Sequence, residues 1–579
     1  MEAEKERPKN IFEEFWIWRL EESPEFATAV GIHDYDWKLD DHSLQAFQRR
    51  EQEAAGFLKR LEEEIQKGPI EESERLNYQL LAADIQQYLR GMKFKSYLFP
   101  INQLEGPQAD FPRLISWMKT KTLEDYEKIL ARLKSFPAQI NQLTELLRKG
   151  VEDNRTMAIE SIQAVPKQLK LAANTPLAQS ELFKPFLKFP AKIVMSDQER
   201  LKAEAEKIIT GQVGQSYLEL SEFLSRDYIP HVRREYGILC LQDGAAYYQE
   251  CLNFHTTTSM SAKEIFDLGN KEVRRISDQM DRLREKVGFK GNLADFKTHM
   301  KTSPEFHFKS AEEMFSKYKA VCAKIKTMLS SIFKNIPAQK YVIAPVPEDI
   351  APGFPGAYYF SPSLDGTRPA TFYLNTYKVE ERSSTEVVSL SLHEAEPGHH
   401  LQAVTAMEIK GLPSFRRFLE DRCYYQAPGR FPLNTGYVEG WGLYCEFLGE
   451  EMNLYQDPYD FFGRLSHEML RACRLVIDTG IHVFKWSRDD GIKFLQENTG
   501  MAATDVIAEI DRYITWPGQA CAYKIGELKI KEVRAKCQTK MGGKFDLKEF
   551  HSLVLSLGPV PLHIMEDATN LFIDNASKN

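Results

Sequence analysis

Much of the first half of the chain carries apolar residues at helical spacing on a strongly charged background. The clearest stretches are residues 43–68, 71–92 and 122–153. Apolar residues that recur every three to four positions form one face of an α-helix, and that face needs other helices to cover it. Serines followed three residues later by glutamate predict capped helix starts at Ser196, Ser261 and Ser310. The pattern therefore predicts a mainly α-helical fold.

Strand-like sequence is concentrated in one part of the second half. Residues 340–350 and 367–377 are rich in β-branched and aromatic residues and are separated by a Pro- and Gly-rich segment. That segment is typical of a loop or an edge strand. Helical patterns return afterwards, over residues 434–452, 457–486 and 503–514. We therefore expect a small β element beside the histidine-rich segment that starts at residue 393.

The chain length of 579 residues exceeds what a single hydrophobic core usually serves. We divide it into an N-terminal helical region, residues 1–290, and a second region, residues 291–579, which holds the histidine-rich segment; one continuous structural domain is the alternative. The formal net charge of −8 argues against a nucleic-acid partner.

Targeting features are missing from the sequence. The charged N-terminus does not resemble a signal peptide, and the sequence has no apolar run of about 18 residues that would suggest a membrane span. The eight cysteines are scattered without a C-x-x-C pair. These features predict a cytoplasmic protein with free thiols and no membrane partner.

Three of the thirteen histidines fall within residues 393–400, which read HEAEPGHH. The first two letters match the H-E-x-x-H pattern, in which two histidines on one helical face hold zinc and the glutamate acts as general base. Here Pro397 stands where the second histidine is expected, and His399 and His400 follow. On an ideal helix a step of six residues rotates by about 240° and rises about 9 Å, so His399 would point away from His393.

A helix break would change this geometry. Pro397 lacks an N–H group and clashes with the carbonyl group four residues earlier, that of His393. Gly398 permits backbone angles that other residues avoid. A break at this step would turn His399 back toward His393. We therefore expect His393 and His399 as metal ligands and His400 as a supporting residue, although His400 as the second ligand stays open.

A catalytic zinc commonly takes three protein ligands and leaves one position open. Glu439 and Glu446 lie seven residues apart, on one face of a helix of apolar character. Glu439, beside a small glycine, is the better third ligand, and Glu446 suits a position behind a ligating histidine. Glu394 is the candidate general base. The alternative is that these side chains are ordinary helix-end histidines and solvated carboxylates.

Other polar residues follow in two C-terminal segments and suggest the far wall of a cleft. Tyr or His suits the stabilisation of an oxyanion, and a cation suits a substrate carboxylate. The candidates for catalysis are His482, Tyr513 and Tyr523. The candidates for substrate binding are Arg512, Gln519 and Lys524. Taken singly, each is more often structural than catalytic.

The motifs HEAEPGHHLQ, YVEGWGLYCE, RLVIDTGIH and DRYITWPGQACAYKIG resemble, in this order, those of the domain-of-unknown-function 885 family. The N-terminal segment FWIWRLEESPEFATAVGIHDYDWKLDD resembles the opening of the same family. That family is similar to the gluzincin metallopeptidases. The resemblance implies a two-lobed helical shell around a deep channel with zinc on its wall. It also implies His393, His399 and Glu439 as ligands and Glu394 as the base.

Three functions remain open from the sequence. The leading prediction is a zinc-dependent hydrolase of the carboxypeptidase or oligopeptidase type that cleaves short peptides. The same site would also suit hydrolysis of N-acyl amino acids or other small amides. A metal-free helical binding or scaffold protein with a degenerate site is the third reading. A set of two histidines and one glutamate favours Zn²⁺ over other metals. Monomer and dimer both stay open.

Overall fold

The computed structural model describes residues 10–67, 70–348, 351 and 356–578. This part of the chain is mainly α-helical, which confirms the fold class predicted from the apolar periodicity. The α-helices of the described residues are, in chain order, α1 (Ile11–Glu22), α2 (Pro24–Val30), α3 (Leu44–Lys67), α4 (Glu72–Met92), α5 (Pro107–Trp117), α6 (Leu123–Glu152), α7 (Ile159–Ile162), α8 (Val165–Asn174), α9 (Met195–Lys207), α10 (Gly214–Phe223), α11 (Gly244–Thr256), α12 (Ala262–Lys286), α13 (Leu293–Thr302), α14 (Ala311–Met328), α15 (Val387–Glu394), α16 (His399–Glu408), α17 (Ser414–Arg417), α18 (Thr435–Glu451), α19 (Pro458–His482), α20 (Arg488–Asn498), α21 (Ala503–Thr515), α22 (Ala522–Met541), α23 (Leu547–Ser556) and α24 (Leu562–Lys578).

Two of the three predicted helix caps are present. Ser261 and Glu264 form a reciprocal capping box at the start of α12, and Ser310 accepts a hydrogen bond from the first turn of α14. The cap predicted at Ser196 is wrong, because α9 already begins one residue earlier. The carbonyl oxygen of Val194 accepts hydrogen bonds from the first amides of that helix instead.

One compact unit contains the described residues of Met1–Glu235, Pro362–Arg368 and Pro413–Pro432. Its longest helix is α6, which buries an apolar face at helical spacing, as the sequence pattern of this segment predicts.

The second compact unit contains the described residues of Tyr236–Ser361, Pro369–Leu412 and Leu433–Asn579. Residue 290, where the sequence suggested a boundary, lies inside this unit. All of the candidate site residues belong to it. Its central helix is α19, in which nearly every residue after the first turn is buried.

A three-stranded sheet lies in the second unit, in the order β1 (Tyr341–Pro345), β3 (Ala370–Leu374), β2 (Ala357–Phe360). β1 runs parallel to β3, and β2 runs antiparallel to it. Phe372 and Leu374 of β3 pack in one apolar cluster with Tyr318 of α14 and Val387 of α15. The small β element predicted beside the histidine-rich segment is therefore confirmed.

Helices α18 and α22 cross at unusually short range. A Cβ atom added to Gly526 would lie 1.8 Å from the carbonyl oxygen of Gly436, and one added to Gly440 would lie 2.5 Å from the Cα of Gly526. Backbone therefore contacts backbone at this crossing, and a side chain larger than hydrogen does not fit. The contact brings together the residues that flank Gly440 and Gly526.

None of the helices in the described residues combines the length and the apolar character that a membrane crossing requires. All eight cysteines lie in this part of the chain, each as a free thiol.

We expect Gly526→Ala to destabilise the second unit, because its methyl group would meet the backbone of α18. Overpacking of this kind costs roughly 1–3 kcal/mol, which corresponds to a Tm lower by several degrees. Thermal unfolding followed by circular dichroism measures the change. The control is Gly543→Ala, where an added Cβ meets nothing within 4 Å. Equal Tm values for the two variants would contradict the close crossing.

Candidate metal site

The helix of the HEAEPGHH segment breaks where the sequence predicted. α15 ends at Glu394 and α16 begins at His399, and Ala395 and Gly398, which flank the break, have non-helical backbone angles. A Cβ atom at position 398 would lie 1.8 Å from the carbonyl oxygen of His393, so only glycine fits there. The break is also held from outside, since the indole N–H of Trp441 donates a hydrogen bond of 2.9 Å to the carbonyl oxygen of Pro397.

The break brings His393 and His399 together with Glu439 of α18. The Nε2 atoms of the two histidines each lie 3.4 Å from Oε2 of Glu439, and the three donor atoms all lie within 4.8 Å of one another. The two imidazole rings are nearly perpendicular, with centroids 4.8 Å apart. Among the described residues this is the cluster whose donors could share a metal ion.

The spacing of the donors fits a zinc ion. Two atoms bound to one tetrahedral zinc at about 2.0–2.1 Å lie roughly 3.3–3.4 Å apart, which matches both distances to Glu439. Two histidines and one glutamate also form one of the donor sets that zinc enzymes use. Gly442 of α18 leaves room for the ring, because a Cβ atom there would lie 2.8 Å from the imidazole of His393.

Glu446 holds His393 from the opposite side. Nδ1 of His393 donates to Oε1 of Glu446 at 2.8 Å, so that Nε2 is the ring nitrogen directed at the cluster, where a metal ion would take the place of its proton. Burial on its own would lower the pKa of His393, but hydrogen bonds to Glu439 and Glu446 raise it to about 9. Burial would raise the pKa of Glu446, yet the nearby Arg471 and hydrogen bonds from His393 and His467 keep it well below its usual value. Glu446 is therefore a buried, ionised carboxylate that orients the imidazole ring of His393.

Glu394, the candidate general base, is the last residue of α15 and directly follows His393. Its side chain is buried, and its negative charge acts on the imidazole of His393. None of the described residues forms a hydrogen bond with this carboxylate.

His400 faces away from the cluster. Its Nε2 donates to the carbonyl oxygen of Gln339 at 3.0 Å, and its Nδ1 accepts from the hydroxyl of Tyr359 in β2 at 3.1 Å. Burial lowers the pKa of His400 to about 4. Between the two histidines that the sequence left open, the structure brings His399 into the cluster and uses His400 to attach α16 to the sheet.

Three of the predicted far-wall residues contact one another. A terminal nitrogen of Arg512 donates to Oε1 of Gln519 at 2.8 Å and to the hydroxyl oxygen of Tyr523 at 3.0 Å. Burial raises the pKa of Tyr523, and the negative charge of Glu439 adds to this effect. Tyr523 therefore lies within electrostatic reach of Glu439.

Tyr513 lies in a neighbouring charged group. Its hydroxyl donates to Glu509, and Nε of Arg474 donates to the same hydroxyl at 3.2 Å. Arg474 also pairs with Glu509 at 2.8 Å. The hydroxyl of Tyr513 is thus held by protein groups.

The structure does not bring His482 into the cluster. Its Nδ1 accepts from the amide of Ile238 at 3.2 Å, and its Nε2 donates to the carbonyl oxygen of Tyr513 at 2.9 Å. Both ring nitrogens are bound to backbone groups, so His482 joins two segments of the core instead of contacting a substrate.

Lys524 likewise lies outside the cluster of His393, His399 and Glu439. Its ammonium group is fully buried and contacts Glu527 at 2.6 Å, Glu468 at 2.7 Å and Glu272 at 3.2 Å. Three carboxylates neutralise this charge, so Lys524 is part of an internal ion network and is not a cation that a substrate can reach.

The sequence reasoning missed several residues that surround the site. They are Glu386, His467, Arg471, Arg474 and Glu509. His467, Arg471 and Arg474 follow one another at steps of four and three residues on α19, and thus share one helical face. The polar stripe of these three residues on α19 was the signal that could have identified them.

Comparison with known proteins defines the class to which this helical protein belongs. Residues 24–568 match the family described as bacterial protein of unknown function (DUF885). The chain therefore belongs to the DUF885 family, as the order of its motifs predicted. None of the curated proteins matches it.

Two solved structures are similar over nearly the whole chain, and each was named a putative lipoprotein. The one from Colwellia psychrerythraea is 26% identical, with a TM-score of 0.89 and 98% of both chains covered. The one from Shewanella oneidensis, described as of unknown function, is 17% identical, with a TM-score of 0.62 and 96% and 98% coverage. The second likeness concerns the fold alone.

We expect His399→Ala to weaken zinc binding by more than about 100-fold, because it removes a donor, whereas His400→Ala should leave the zinc affinity within a few-fold of the parent. Titration of the metal-free proteins with zinc in a calorimeter measures both affinities. The reverse order of effects would show that His400 is the second ligand.

Proposed function

We propose that this protein is a zinc-dependent hydrolase that cleaves the peptide bonds of short peptides. The observation that carries the proposal is the cluster of His393, His399 and Glu439, in which each histidine Nε2 lies 3.4 Å from Oε2 of Glu439 and all three donors lie within 4.8 Å of one another, with the buried Glu394 next to His393 in the chain. The same arrangement of a His-Glu pair, a later histidine and a distant glutamate underlies the likeness to gluzincin metallopeptidases.

His393, His399 and Glu439 would hold the zinc ion, which supplies a Lewis acid that lowers the pKa of water to about 7. The carboxylate of Glu394 would accept a proton from the attacking water and pass it to the nitrogen of the leaving amine. Glu446 keeps the imidazole of His393 oriented throughout, through its hydrogen bond to Nδ1.

Tyr523 suits the stabilisation of the negative charge that develops on the carbonyl oxygen. In its contacts with Arg512 and Gln519 the hydroxyl oxygen accepts, which leaves the hydroxyl hydrogen for another partner. The nearby guanidinium of Arg474, 4.4 Å from the ring centroid, adds positive potential on this side. The site is largely buried, which favours a thin, extended substrate over a folded protein.

We expect Glu394→Gln to retain zinc and to lower turnover by about 10²–10⁴-fold, because the amide cannot accept the proton. Peptide cleavage followed by mass spectrometry measures turnover, and metal analysis measures zinc. Glu408→Gln, an exposed change on α16, is the matched control and should act like the parent. A Glu394→Gln protein that cleaves at the parental rate would show that the base is wrongly assigned.

The bond that is cleaved needs a separate test, since a small amide would use the same groups. We expect the zinc-loaded protein to cleave members of a short-peptide library and to leave a panel of N-acyl amino acids intact. A chelator should abolish cleavage, and added zinc should restore it. Hydrolysis of the N-acyl panel alone would favour an amidohydrolase, and a protein that binds no zinc would favour a binding protein.

A further inference from the structure

Three arginines surround the ring of Tyr523. The guanidinium carbon of Arg474 lies 4.4 Å from the ring centroid, and those of Arg471 and Arg512 lie 6.0 Å from it. Arg471 and Arg474 come from α19, and Arg512 comes from α21. Three positive charges thus converge on one aromatic side chain.

Each of these arginines has a buried N–H group that has no hydrogen-bond partner among the residues that the structure describes. The atoms are Nε of Arg471, Nη1 of Arg474 and Nε of Arg512. Arg471 and Arg474 are more than nine-tenths buried, with relative exposures of 7% and 4%. A buried guanidinium donor that lacks an acceptor costs free energy, so the arrangement is suited to an acceptor supplied by a ligand.

Few carboxylates pair directly with the three arginines. Arg474 and Arg512 share a single carboxylate, Glu509, at 2.8 and 3.4 Å. Arg471 has Glu446 at 3.6 Å, and that carboxylate also binds His393. Among the described residues the direct ion pairs of the three guanidinium groups involve two carboxylates, and each of these carboxylates also binds a further side chain, Tyr513 for Glu509 and His393 for Glu446.

This arginine group adjoins the candidate metal site through two direct connections. Glu446 bridges Arg471 and His393, a predicted metal ligand. The close crossing of α18 and α22 brings the backbone next to Glu439 against the backbone one turn after Tyr523. The arginine group is therefore attached to the same side chains and helices that carry His393 and Glu439.

We propose that Arg471, Arg474 and Arg512 form a pocket that binds the free C-terminal carboxylate of the peptide. This inference rests on the proposed peptidase function and specifies its substrate class. A planar carboxylate matches the fork of guanidinium N–H groups and would accept hydrogen bonds from the N–H groups that lack an acceptor. The protein then acts near the C-terminus of its substrates and discriminates against amidated peptides.

The test compares two ligands that differ only at the C-terminus. The tripeptide alanyl-phenylalanyl-alanine and its C-terminal amide are titrated into the full-length, zinc-loaded Glu394→Gln protein in a calorimeter. We expect the free acid to bind at least about 10-fold more tightly, because the amide loses a charge-assisted contact. Binding does not require turnover, so this comparison remains valid even if the protein is no hydrolase.

Variants of Arg512 test whether the arginine pocket causes the preference for the free acid over the amide. In the Glu394→Gln background, Arg512→Gln should abolish the preference for the acid, and Arg512→Lys should retain part of it because the charge remains. The control is Arg488→Gln, since Arg488 pairs with Asp511 and not with the pocket. Thermal unfolding checks that each variant is folded, and if Arg512→Gln is not, the acid–amide contrast decides alone.

The possible outcomes distinguish failure of the carboxylate-binding pocket from failure of the proposed hydrolase activity. Equal binding of acid and amide, or binding of neither, would overturn the carboxylate pocket. The pocket would also be overturned if the Glu394→Gln protein bound the free acid more tightly than the amide and a folded Arg512→Gln variant kept the same preference. Failure of the parent protein to cleave any peptide, with the acid preference present, would refute the hydrolase and leave the pocket standing.

Discussion

The contact between Gly398 and the carbonyl oxygen of His393 is the feature on which the candidate site depends. Without a side chain at position 398 the chain can fold back onto the end of α15, so that α16 starts with His399 directed at His393. Trp441 of α18 binds the same turn through the carbonyl of Pro397, and α18 also carries Glu439. One backbone irregularity thus sets the relative positions of all three donors.

Glu446 ties this arrangement to the interior of the second unit. Its carboxylate contacts His393 of α15 and His467 and Arg471 of α19, and is itself part of α18. Removal of one member of a buried ionic group leaves an uncompensated charge, which typically costs roughly 3–5 kcal/mol. The orientation of His393 is therefore determined by the same interactions that hold three core helices together, and a change at either one affects the other.

The sequence predicted the helical fold because apolar periodicity reports directly on which face of each helix is buried. It also placed His399 in the cluster, because the Pro-Gly step limits where α15 can continue. Sequence could not show which way a polar residue points once the helices pack. His482 and Lys524 are of the right chemical type, yet they bind backbone groups and carboxylates inside the core. Arg474 was overlooked for the same reason, since a charged residue on a helix ordinarily faces water.

The density of charge inside the second unit argues for function more than for stability. Buried ion pairs can often be replaced by apolar residues with no loss of stability, so a core shaped by stability alone has little use for them. α19 is buried over most of its length, and Arg471 and Arg474 keep N–H groups there that have no acceptor among the described residues. Charges that are costly to bury, that remain incompletely paired and that adjoin three metal-type donors are most simply explained by a ligand that completes them.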